Sequence, residues 1–181
     1  MTAALEILDW STLDESQRTA LLRRPAQRDA AGLLERAGRI VTDVRSRGDA
    51  ALREYTETLD RVRLESFAVG AAEFAAAETA LSDEQLAALR RAIDTVTLFH
   101  ERQVLQPVSI ETSPGVTCER MIVPLGAVGL YVPAGTAPLP STAIMLAVPA
   151  RIAGCPVRVL CTPPRPDGTA DPAVLVAARL C

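Results

Sequence analysis

An α/β fold, in which a helical N-terminal region leads into the start of an incomplete Rossmann-like parallel domain, is what this 181-residue sequence predicts. Three observations carry that expectation. Apolar residues recur at helical spacing through most of the first hundred positions. The pattern then switches to short apolar runs at 127–132 and 157–161, separated by a stretch long enough for one crossover helix, as parallel strands require. Between the first run and that helix lies a loop paved with Gly and Pro, and loops of that kind hold ligands. The division implied is a mainly helical arm over 1–106 and a partial, truncated α/β domain over 107–181.

Taken in chain order, Thr12 with Glu15 has the spacing of a capping box before a short helix that Pro25 terminates, and Leu13, Leu21 and Leu22 offer that helix one apolar side for docking. Leu33, Ala37, Ile40, Val41 and Val44, then Ala51, Leu52 and Tyr55, keep helical spacing across Gly48, which predicts a helical hairpin broken there. A short strand is expected over 64–69 and an alanine-rich helix over 71–81. Ser82 and Gln85 form a second capping box. Behind it Leu86, Leu89, Ala92, Ile93, Val96 and Phe99 mark the inward face of a long helix reaching to about Gln103, with Pro107 beyond its end. Val116, Cys118 and Arg120 alternate with polar neighbours as a half-exposed strand does, and the sheet is expected to start there, ahead of a Pro124-Leu125-Gly126 turn.

The 121–164 segment is the most informative. Pro133, Gly135, Pro138 and Pro140 break any ladder after the 127–132 strand and fix an extended, pre-shaped turn whose backbone a ligand would meet. Pro140 suits the first turn of a helix, Ser141 and Thr142 are candidates to cap it, and 143–152 is apolar on nearly every side, so the helix is expected to be buried. Gly154 closes it. The strand over 157–161 has the apolar density of one covered on both faces, and Thr162-Pro163-Pro164 ends it. Asp171-Pro172 starts another helix, with an apolar stripe over 174–180. No return strand follows within the sequence, so the chain reads as cut short.

Composition narrows the function classes. At 49% hydrophobic the chain can bury a core. A net charge of −3, a pI near 5.3 and scattered arginines leave no footprint for nucleic acid. The start, MTAALEILDW, has no cationic lead and no long apolar run, and the 143–153 helix is too short to span a bilayer, so no membrane partner and a cytoplasmic location are expected. Cys118, Cys155, Cys161 and Cys181 form no C-x-x-C pair, sit mostly in apolar runs and are expected to be reduced, acting as small hydrophobes.

Each candidate residue has a plain alternative. His100 is the sole histidine, without companions at zinc-ligand spacing, and reads as a packing or capping residue. Ser141 and Thr142 lack a G-x-S-x-G elbow and read as caps rather than nucleophiles. Cys155 and Cys161 could form a disulfide, though thiol packing suits their surroundings better. Arg151 and Arg158 could meet phosphate or simply be solvated ends. Tyr131 is either a core aromatic at a strand end or a ligand contact, and spacing alone does not choose. The glycines at 126, 129 and 135 do not make a G-x-G-x-x-G fingerprint.

GAVGLYVPAGTAPLPSTAIMLAVPARIAGC followed by VRVLCTPP resembles the loop, helix and strand near the nucleotide site of the L-histidinol dehydrogenase family, zinc- and NAD-dependent enzymes of histidine biosynthesis. DVRSRGDAALREYTETLDRV, the FHERQ around His100 and the PGVTCER motif resemble that family too, in the same order, from about residue 30 onward. The resemblance implies that Tyr131 contacts NAD, and it transfers no other position. The family's zinc ligands and its catalytic glutamate-histidine pair lie beyond residue 181, so it implies no catalytic and no metal-binding residue within this sequence. Ala134 stands where members usually carry a second glycine, turning Pro-Gly-Gly into Pro-Ala-Gly and restricting the backbone there.

Two functions of different class follow. In one, the chain is the N-terminal portion of an NAD- and zinc-dependent oxidoreductase acting on histidinol, working as a homo-oligomer or with a complementing C-terminal half. In the other it is a non-catalytic scaffold or association domain of the same family.

Overall fold

The structure, a computed structural model, describes residues 7–22, 30–134 and 137–181. The chain divides into two compact units, Met1–Leu52 and Arg53–Cys181.

In the first unit, a single 3₁₀ turn, Trp10–Thr12, begins at Asp9, whose carboxylate accepts from the amide and hydroxyl of Ser11 at 2.9 and 2.6 Å. Helix α1, Glu15–Leu22, follows. Its reciprocal cap is Asp14 with Gln17, not Thr12 with Glu15: Gln17 N donates to Asp14 Oδ1 at 2.8 Å and Asp14 N to Gln17 Oε1 at 2.9 Å. Thr12 is already engaged, its hydroxyl donating to Asp9 O. Of the expected apolar side of α1, Leu21 and Leu22 are exposed and Leu13 is half-buried. Pro25 lies outside the described residues. Helix α2, Ala30–Arg47, ends at Gly48, whose φ of 59° is the left-handed conformation an L side chain avoids, and α3, Asp49–Tyr55, starts at once. The break expected at Gly48 is present, with a helix on either side of it. A π turn, Thr56–Asp60, continues from α3.

In the second unit the strand expected over 64–69 is absent. Ser66 makes a local turn with Ala68, and Val62 and Leu64 lie against Gly168, so this segment packs on a loop and pairs with no strand. Helices α4, Ala71–Ala80, and α5, Asp83–Glu101, are as the sequence predicts, and the Ser82–Gln85 capping box is closed at both bonds. Leu89 and Ile93 of α5 are buried, with Leu86, Ala92 and Val96 half-buried. Phe99 is a correction: it is 65% exposed, because the seven-residue step from Ile93 along that face arrives at His100.

Strands β1, Val108–Ser113, and β2, Val116–Arg120, form an antiparallel hairpin turned by Pro114-Gly115, with Gly115 at φ 79°. The sheet therefore starts one strand earlier than the alternation at 116–120 indicates, and β2 is exposed throughout rather than on one face. This hairpin is a sheet of its own.

Strands β3, Ala127–Tyr131, and β4, Val157–Cys161, are the parallel pair, in register from Ala127 opposite Val157 to Tyr131 opposite Cys161. Helix α6, Pro140–Ile152, makes the crossover, and α7, Pro172–Leu180, follows β4. The core gathers Ala77 of α4, Leu89 and Ile93 of α5, Val132, Ala143, Ile144 and Val148 of α6, and Val174–Ala177, so α4 and α5 share one core with the α/β segment. Two burial expectations fail here. Helix α6 is buried on one side only, through Ala143, Ile144, Ala147 and Val148, while Met145 is 63% exposed. Strand β4 is covered on one face, where Leu160 meets the core; Val157 and Val159 on the other are about half exposed, because no element packs over them among the described residues. Pro149 sits inside α6 near its end, and Gly154, at φ 78°, follows the helix as expected.

Candidate functional site at the carboxyl ends of the parallel strands

Open parallel sheets bind ligands beyond the carboxyl ends of their strands, where strand-to-helix loops and helix N-termini meet. Here that edge is formed by Tyr131 and Cys161, register partners at the last rung of β3 and β4. The next amide, Val132 N, still donates to Cys161 O at 2.9 Å, and the Val132 side chain is fully buried. That anchor fixes the end of β3 while Tyr131, one residue earlier and on the opposite side of the strand, is 62% exposed. Tyr131 is not among the core residues of the described chain.

Pro133 and Ala134 leave the strand exposed; Gly135 and Thr136 lie outside the described residues. The chain enters α6 with Pro140 in its first turn and Leu139 as N-cap, and no side chain caps that end. Ser141 and Thr142 do not cap, because both are already inside the helix, and the amides of Thr142 and Ala143 turn to Leu139 O instead. The other helix end is closed. Asp171 Oδ1 accepts from the amides of Ala173 and Val174 at 2.9 and 3.2 Å, a complete N-cap on α7.

The loop between β4 and α7 is tied down residue by residue. Arg165 N donates to Thr169 O at 2.7 Å and Gly168 N to Arg165 O at 2.9 Å. Asp167 Oδ1 accepts from the hydroxyl and the amide of Thr169 at 2.6 and 3.0 Å, and these two bonds, the hydroxyl first, hold the Asp167 carboxyl below the usual carboxylate range. Glu73 Oε1, from α4, accepts from Ala170 N at 2.8 Å. Thr162 Oγ1 at the head of the loop is buried without a partner.

A family model for histidinol dehydrogenase matches residues 22–181. The chain belongs to the histidinol dehydrogenase family. Histidinol dehydrogenase from Xanthomonas euvesicatoria is 55% identical over 176 residues, which are 97% of this chain and 41% of that protein. That from Xylella fastidiosa strain 9a5c is 50% identical over the same length. The crystal structure of histidinol dehydrogenase from Elizabethkingia anophelis superposes with a TM-score of 0.80 at 36% identity, over 93% of this chain and 39% of that one. The chain thus spans about two fifths of the length of the histidinol dehydrogenases it matches.

The other sequence candidates do not converge on this edge. His100, near the end of α5, stacks edge-on against Phe99 with ring centres 5.5 Å apart, and its carbonyl accepts from Gln103 N at 3.0 Å. Arg151 donates to Thr97 Oγ1 at 3.3 Å and Arg158 to Cys155 O at 2.8 Å, so both make intramolecular bonds. All four cysteines are free thiols. Cys155 is buried as a small hydrophobe, but Cys118 and Cys161 are exposed, the first on the bare hairpin and the second on the uncovered face of β4. Burial pushes the Cys181 thiol up from its usual range, against a smaller opposing pull from Arg151. Sequence reasoning missed Glu73, whose partner is 97 residues away and carries no signal in the sequence. It also missed the Asp167–Thr169 turn, which the P-D-G-T string at 166–169 does signal.

Among the described residues, no three His, Cys, Asp or Glu side chains group as metal ligands do. Tyr131 is an exposed aromatic at the end of β3, and the N-terminus of α6 carries no side-chain cap. No helix among the described residues is long and apolar enough to cross a membrane.

Proposed function

We propose that this chain supplies the NAD-facing part of a histidinol dehydrogenase, with Tyr131 as its cofactor contact. The whole reaction of such an enzyme is the two-step oxidation of histidinol to histidine, through an aldehyde, with NAD as hydride acceptor when bound. The residues present here bind and orient rather than react. Tyr131 presents an aromatic surface for the cofactor, and Val132 locks the strand end beside it. Proton transfer and zinc ligation belong to residues outside this set, so zinc, the histidinol substrate and a homo-oligomeric or complemented assembly enter as properties of the complete enzyme. A division between a helical arm over 1–106 and a cofactor-bearing segment over 107–181, and a cytoplasmic location, go with this reading.

The observation that carries the proposal is the exposure of Tyr131 at the carboxyl end of a parallel strand pair, on the strand that precedes the uncapped helix α6. Calorimetric titration of the 181-residue chain with NAD, against a Tyr131→Ala control, tests it. Saturable binding that weakens at least tenfold in the control is expected. Absence of NAD binding by the parent chain would leave the non-catalytic scaffold as its function.

A further inference from the structure

Glu73 stands out among the residues that no part of the proposed site uses. It lies in the first turn of α4, is half-buried, and reaches across to accept the Ala170 amide at 2.8 Å. Ala170 is the residue before Asp171, the N-cap of α7, and it closes the loop that begins at Thr162, next to the Tyr131–Cys161 rung. A backbone amide at that point has no helical or strand partner of its own, so a carboxylate supplied from a distant element decides where the loop ends. The other bonds within the loop are local, from Arg165 to Thr169 and from Asp167 to Thr169. Val62 and Leu64 against Gly168 add only apolar contact. The independent tie between α4 and α7, Arg179 with Glu78 at 3.3 Å and over the Phe74 ring, holds the helices together but does not touch the loop.

We infer that Glu73 is a positioning residue: through its bond to Ala170 it sets the β4–α7 loop at the carboxyl edge of the sheet, and so the shape of the surface beside Tyr131. The consequence for cofactor affinity rests on the function proposed above, whereas the positioning itself does not. Gln at 73 retains an acceptor oxygen at the same reach; Ala does not.

The experiment combines amide hydrogen exchange with NAD titration of the 181-residue chain as parent, Glu73→Ala, Glu73→Gln and Arg179→Ala. In Glu73→Ala, exchange is expected to rise at Ala170 and at the amides of Thr162, Arg165, Asp167, Gly168 and Thr169 while Val174–Ala177 stay protected, and NAD affinity to fall about tenfold, the loss of one charge-assisted bond. Glu73→Gln should stay within about threefold of the parent. Arg179→Ala should loosen the α4–α7 contact without altering loop exchange or affinity, which separates positioning from general stability. Unchanged exchange over 162–170 in Glu73→Ala would overturn the inference, as would unprotection spread equally over α7. Should the parent fail to bind NAD, the proposed function falls and the exchange data alone decide the role of Glu73.

Discussion

Asp167 shows how a single exposed carboxylate shapes a loop. The hydroxyl and amide of Thr169 both donate to it, and both bonds favour its charged form. Its folded pKa is depressed, so the stabilisation is present above the ordinary aspartate range and is lost as pH falls through the lower folded value. The Thr169 amide resonance is therefore expected to hold its position through the ordinary aspartate range and to move only in stronger acid, and Thr169→Val, which removes the hydroxyl bond, should shift the Asp167 titration upward toward the ordinary aspartate value. An Asp167 carboxyl titrating at that ordinary value in the parent would contradict the reading. Tyr131 and Val132 show a second residue-level effect: adjacent side chains on opposite sides of one strand, one 62% exposed and one buried completely, so that the anchor and the proposed cofactor contact are neighbours in sequence.

Helix α6 joins the site to the core. Its first turn faces the loop after Tyr131, and its buried side, Ala143, Ile144, Ala147 and Val148, packs between α5 and α7. Ile144 is 1% exposed and is among the largest side chains wholly inside. Ile144→Ala is expected to lower stability by about 3 kcal/mol, the transfer loss together with a cavity that its neighbours only partly fill, measured as a drop in the urea midpoint at constant m. The exposed neighbour Met145→Ala should change stability by no more than about 0.5 kcal/mol. Equal effects of the two substitutions would mean that α6 is not seated as described. Small side chains at 143 and 147 also allow α6 to approach its neighbours closely, which ties the alanine bias of the sequence to packing as well as to helix propensity.

Over the whole molecule, apolar surface is distributed unevenly. Residues 101–127 are exposed without a break, and Met121, Val123 and Leu125 are each at least two-thirds uncovered. Val157 and Val159 add the open face of β4. Among the described residues both strand pairs have unpaired edges. The 181-residue chain is accordingly expected to self-associate at micromolar concentration, and a sharp monomer peak in light scattering would contradict this. Replacing Met121 and Val123 with Ser should shift the distribution toward smaller species.

By itself the sequence determined the features that depend on neighbours close along the chain. The Ser82–Gln85 box, the Asp171-Pro172 start, the stops at Gly48 and Gly154 and the two parallel strands with their crossover were all legible, because caps, left-handed glycines and apolar runs act within a few residues. The motif around Tyr131 was legible in the same way and pointed to the family that the matches then established. Only the tertiary structure decided burial and long-range bonding. It left β4 bare on one face, turned Phe99 outward, denied 64–69 a strand partner and brought Glu73 to Ala170. Those outcomes depend on which surfaces meet in space, and apolar periodicity indicates that a face can be covered without indicating what covers it.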